Sequence, residues 1–172
     1  EGPESYAKGL MSISPRKHQI EIRLVAGLSG VIGVGKFELD ASAGTAPIRV
    51  LHEKYQAFNA ANVCLQASNR NDPALEKNMV AAFNATGWEQ KPVTAPIFDA
   101  TWRIVKHSVT GRILYRAIRG ELTAQSPKGY CLLYFMDYMQ EYKGNGSYSS
   151  TVKVRQSLGS KRMDCKNLTK VK

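Results

Sequence analysis

The sequence predicts an α+β fold: a helical hairpin packed on a twisted antiparallel β-sheet, in a single domain spanning residues 1–172. Three observations predict it. Residues 101–157 read as four or so strands broken by turn signals, and residues 45–87 carry two apolar stripes at helical spacing. A chain of 172 residues, 43% hydrophobic and 22% charged, can also bury a core of its own.

Residues 1–18 form a polar, irregular N-terminal arm containing Pro3, Pro15 and the basic knot Arg16-Lys17-His18. From Gln19 to Ala26 apolar residues alternate, with Ile20, Ile22 and Leu24 on one face of a strand. Gly27 to Lys36 is rich in glycine, Phe37 to Leu39 suits a short pairing strand, and Asp40 to Ala46 is a loop of small residues. The first helix is expected over Thr45–Gln66, with Thr45 as cap, Pro47 in the first turn, and a stripe of Val50, Leu51, Tyr55, Phe58, Ala61 and Leu65. Asp72-Pro73 opens a second helix, striped by Leu75, Met79, Val80 and Phe83 and stopped by Gly87. Glu89 to Ala100, holding Pro92 and Pro96, is an extended connector.

The sheet then begins at Trp102 and Ile104. It turns at Thr110-Gly111, at Ser126-Pro127-Lys128-Gly129 and at Lys143-Gly144-Asn145-Gly146, and ends with Val152 and Val154 alternating with Lys153 and Arg155. Ile113, Ala117, Ile118 and Leu122 also fit a helical stripe, as do Tyr134, Tyr138 and Tyr142. The flanking turns and the aromatic and β-branched content favour strands at 112–124 and 131–142. Residues 158–172 form a basic C-terminal tail.

The net charge of +10 is unevenly placed. Residues 1–100 carry ten Lys or Arg and ten Asp or Glu, whereas residues 101–172 carry fourteen and four. Such asymmetry points to a face for an anionic partner. Arg103, Lys106, Arg112, Arg116, Arg119, Lys153 and Arg155 are the candidates, and a solvated sheet face is the alternative. Their interleaving with Tyr115, Tyr134, Tyr138, Tyr142 and Tyr148 keeps single-stranded nucleic acid open as a partner. If Arg103, Arg116, Lys153 and Arg155 project outward together, Trp102, Ile104, Val152 and Val154 face the helices, and Lys153→Ser with Arg155→Ser weakens binding without cost to the fold.

Cys131 opens an apolar strand and Cys165 follows the last one. A tail folding back along the sheet would join them, leaving Cys64 as a buried thiol in the first helix. A bridge implies a periplasmic or secreted location, and a start at Glu1 rather than Met suits a processed chain. No apolar run reaches the roughly 18–20 residues of a membrane helix.

Motifs for chemistry fall short of their requirements. Gly30-Val31-Ile32-Gly33-Val34-Gly35-Lys36 matches the core of a phosphate-binding loop, but Phe37 replaces the hydroxyl that would meet Mg²⁺ and no helix follows at once. His52-Glu53-Lys54-Tyr55-Gln56 lacks the second histidine of a zinc-protease motif, and no Cys-x-x-Cys pair or nucleophile elbow occurs. Asn84, Asn145 and Asn167 head glycosylation patterns. No catalytic set, metal site or cofactor is expected. The function expected is a non-enzymatic, exported binding or assembly module whose basic sheet face meets an anionic protein, lipid headgroup or polysaccharide. The alternative is a small-ligand or enzymatic pocket between helices and sheet, lined by Tyr55, Phe58, Phe83 and Trp102.

Overall fold

A computed structural model describes residues 17–25, 31–40, 42 and 46–171, and divides the chain into two compact units, residues 1–62 and 63–172. The first sixteen residues of the arm, Gly27–Gly30 and the Thr45 cap lie outside the described residues.

In the first unit, β1 (Lys17–Val25) pairs antiparallel with β2 (Val31–Asp40), with Ile20 opposite Phe37 and Arg23 opposite Val34. The described part of the glycine-rich passage, Val31 to Lys36, is therefore strand. Gly35 serves packing there: a Cβ on it would lie within 2.7 Å of the Phe37 ring and 3.3 Å of Phe58. Phe58 comes from α1 (Ala46–Asn62) and meets Phe37 edge-on, ring centres 6.0 Å apart.

The helix ends four residues earlier than its apolar stripe predicts. Asn62 turns its side-chain amide back onto the Phe58 carbonyl at 2.8 Å, an alternative to continuing the helix. Val63 and Leu65 are instead buried in the second unit, where Leu65 N–H donates to the Lys170 carbonyl. Cys64, expected in the helix, lies past its end and is half-buried. α1 belongs to the first unit and α2 (Pro73–Asn84) to the second, so neither unit contains the helical hairpin as such.

The second unit is a curled antiparallel sheet around two long central strands, β5 (Ile113–Gln125) and β6 (Cys131–Gly144). β3 (Lys91–Thr94) and β4 (Arg103–Lys106) both pair with β5, at opposite ends of it. β7 (Ser147–Tyr148) and β8 (Lys153–Met163) divide β6 in the same way. The β6–β7 turn places Gly144, Asn145 and Gly146 at positive φ, which glycine and asparagine tolerate best. The two segments that fit either a helix or a strand are strands. β8 runs on to Met163, taking in Lys161 and Arg162, which the sequence places in a tail; two register shifts and a left-handed Gly159 carry it past Leu158. Val152 is buried as expected, and Val154 and Trp102 pack on the core. Ile104, expected to face the helices, is 53% exposed because it sits on a short outer strand opposite Arg116, beyond the reach of the core.

Helix α2 covers one sheet face. Asp72 caps it by accepting the Leu75 N–H at 3.0 Å, and Pro73 occupies the first turn. Leu75, Met79, Ala82 and Phe83 pack on Ile118, Leu122, Ala124, Tyr134, Met136 and Tyr138. Gly120 lies directly beneath this contact: a Cβ there would collide with Met79 and lie 2.9 Å from the Pro96 carbonyl. Gly120→Ala is expected to cost about 1–3 kcal/mol in urea unfolding, because a backbone oxygen cannot step aside as a flexible side chain can.

The opposite face is covered at one end by Val63, Leu65 and the C-terminal segment around Met163 and Leu168. Thr123 donates to the Leu168 carbonyl at 2.8 Å and Asn167 to the Val63 carbonyl at 3.1 Å. A disulfide joins Cys131 and Cys165, so the tail does fold back along the sheet. No described helix is long and apolar enough to cross a membrane.

Candidate functional site

On the same face as the C-terminal segment, further along the strands, two arginines from two strands meet at one carboxylate, and a third arginine lies on the same face held by a carboxylate of its own. The two-residue repeat of β5 sets Ala117, Arg119 and Glu121 on this face. The register then brings Asp137 of β6 opposite Arg119, and Arg103 of β4 opposite Ala117. In β8 Val154 pairs with Tyr138 and Gln156 with Asp137, so Arg155 is an extra, bulged residue turned towards Asp137.

Asp137 is only 2% exposed. It accepts from Arg155 Nε at 2.8 Å and from Arg103 Nη2 at 3.3 Å. Arg119 is held separately by Asp99, with Nη2 at 2.8 Å and Nε at 3.1 Å from Oδ1. Hydrogen bonds to Asp99 and Asp137 move the pKa of Arg119 and Arg155 further up, so both are cationic at any working pH. Arg155 also donates to the Tyr115 hydroxyl at 3.4 Å. Lys153 extends the group, its Nζ 2.8 Å from Glu141 Oε1. Each guanidinium has five N–H donors, so these pairings fix the arginines in place while leaving donors on exposed side chains.

The other cations singled out from the sequence lie elsewhere. Lys106 and Arg112 flank the β4–β5 turn and are exposed. Arg116 was expected beside Arg103, Lys153 and Arg155, but the register puts it on the α2 face with Ile118 and Tyr138. There its guanidinium lies 4.4 Å from the Trp102 ring centre and 4.6 Å from that of Tyr148, and donates to Gln140 Oε1 at 2.6 Å. Trp102 and Phe83, expected to line a pocket, serve packing. Trp102 stacks on Arg116, and Phe83 is fully buried against Trp88 and Tyr134. Tyr55 and Phe58 belong to the first unit. Of the tyrosines, Tyr134 and Tyr138 are core residues, and Tyr142 stacks on Tyr148.

His107 accepts the Val109 and Thr110 N–H groups in the β4–β5 turn, both at 3.3 Å, a structural role. Asn167 is 2% exposed and hydrogen-bonded, so the folded chain cannot be glycosylated there, whereas Asn84 and Asn145 are exposed. Among the described residues no cluster of three or more His, Cys, Asp or Glu could hold a metal ion.

Two acidic residues that no motif marks matter here. Asp137 is one, the lone acid in the apolar run Cys131–Gln140. Glu121 is the other: 3% exposed, with Oε2 accepting the Gln66 N–H at 2.8 Å. A single carboxylate among alternating apolar residues was the available signal for both. Desolvation pushes the Glu121 carboxyl above its ordinary 4.5, opposed by the Gln66 N–H and by Lys161. The folded state thus holds this proton to higher pH than the unfolded state, and stability falls as pH rises from about 4.5. Glu121→Gln removes that dependence, so its melting temperature should gain on the parent chain as pH rises above about 4.5.

No protein-family model, curated protein or solved structure matches the chain. The functional reading therefore rests on the site itself.

Proposed function

We propose that the protein is a non-enzymatic, exported binding module that grips oxyanions of a partner on the sheet face carrying Arg103, Arg119, Lys153 and Arg155. One observation carries this reading: three exposed guanidiniums converge from β4, β5 and β8, each immobilised by a buried or half-buried carboxylate. Pre-positioned guanidiniums lose little entropy on meeting a sulfate, carboxylate or phosphate, and their planar forks match such groups. Lys161, exposed on the same face beyond Phe135, lengthens the stripe.

Export is supported by the Cys131–Cys165 bridge. A protein, a lipid headgroup and a polysaccharide all offer the oxyanions required. Single-stranded nucleic acid is less well served, since Tyr134 and Tyr138 are buried and Tyr142 and Tyr148 are stacked on each other, which leaves Tyr115 beside Arg155. The expected small-ligand pocket receives no support from Phe83, which is packed solid.

Binding to heparin, anionic vesicles and single-stranded DNA across a salt series tests the reading. Affinity should fall steeply with salt, through screening over about 8–10 Å and the loss of counterion release. Lys153→Ser and Lys161→Ser should each weaken binding several-fold with an unchanged melting temperature, because both side chains are exposed. Binding to none of the three at low salt, or affinity indifferent to salt, would reduce the face to a solvated surface.

A further inference from the structure

A cavity of about 220 Å³ adjoins Arg119 in the second unit, lined among others by Gln66, Phe98, Glu121, Phe135 and Leu158. Its chemistry differs from that of the basic face. The walls are largely apolar, and Glu121 is among the residues that line it. One Glu121 oxygen is taken by the Gln66 N–H; the other, Oε1, is buried with no hydrogen-bond partner among the described residues. A buried carboxylate with an unmatched oxygen is costly to keep, and an apolar residue would fill this strand position at less cost. That oxygen is closed to the cavity as the side chain stands, and a turn of the Glu121 side chain would present it to a ligand donor.

We propose that the cavity binds a small primary amine, its ammonium donating to Glu121 Oε1 and its apolar body packed against Phe98, Phe135 and Leu158. The strongest complement to a buried carboxylate is a charged N–H donor, which forms a hydrogen bond about twice as strong as a neutral one. The volume equals roughly seven waters at about 30 Å³ each, below the range of about 300–1,000 Å³ for drug-sized ligands. A short chain or a single ring is the size it takes. Arg119, which keeps N–H donors beyond its pair with Asp99, also lines the cavity, so an amine that carries a carboxylate, such as an apolar amino acid, has a donor to meet.

The test is calorimetric titration of the whole chain with hexylamine, leucine, hexanol and hexanoate. Hexylamine or leucine should bind saturably, and hexanol and hexanoate about tenfold or more weakly. Tighter binding of hexylamine identifies a plain amine as the ligand type, and of leucine an amino acid. Glu121→Gln should cost the amine about tenfold or more in affinity while leaving hexanol unchanged. Leu158→Trp, at a position 51% exposed, should block both ligands in a folded chain. The proposal is overturned if neither amine binds, if hexanol equals hexylamine, or if Glu121→Gln keeps the amine's affinity. Should Glu121→Gln not fold, undiminished amine binding by Leu158→Trp overturns it instead.

Discussion

Replacing Arg103 and Arg155 together with serine is expected to cost about 3–5 kcal/mol of stability, more than replacing Asp137 with alanine. The asymmetry follows from burial. Asp137 is 2% exposed, and its ionised oxygens depend on the two guanidiniums, so removing both strands a charge in a poor solvent for it. Removing Asp137 instead releases two arginines whose side chains already reach water, at the cost of a small void. Taking out all three residues should therefore recover part of the loss, and urea unfolding of the three variants and the parent chain measures that coupling directly. Arg155→Ser alone should also destabilise, since Arg155 makes the shorter bond to Asp137. Sequence alone predicts no cost for that change, and the difference lies wholly in a carboxylate that has no motif.

Loss of the Cys131–Cys165 bridge has an effect of similar size. A closed loop of 34 residues contributes about 3–4 kcal/mol in the chain-entropy treatment. Cys131→Ala with Cys165→Ala should lower stability by about that amount. The segment should retain its place through the bonds from Thr123 to Leu168 and from Asn167 to Val63. Peptide mapping without reduction should recover Cys131 joined to Cys165, with Cys64 outside any bridge. Fully reduced Cys131 and Cys165 in protein recovered from its own compartment would contradict export.

Much of the second unit was legible because its signals are local. Asp72-Pro73 starts a helix, Gly144-Asn145-Gly146 makes a tight turn, and the apolar alternation of Val152 and Val154 matches their burial. Ends and faces were harder to read. The stripe of α1 continues through Leu65, yet Leu65 pairs with Val171 of a segment more than a hundred residues away, a contact no local pattern encodes. The bulge that aims Arg155 at Asp137 and the stacking that draws Arg116 onto Trp102 and Tyr148 depend likewise on tertiary register. Basic residues can be counted in a sequence. Which of them share a face is set by the strand pairing.

The most direct measurement for the basic face is hydrogen–deuterium exchange of the chain with and without a sulfated oligosaccharide at low ionic strength. Protection confined to Arg103–Lys106, the Arg119 region of β5 and Lys153–Gln156, and lost on raising the salt, is the predicted result. Protection centred on helix Pro73–Asn84, or none anywhere while the oligosaccharide demonstrably binds, would contradict it.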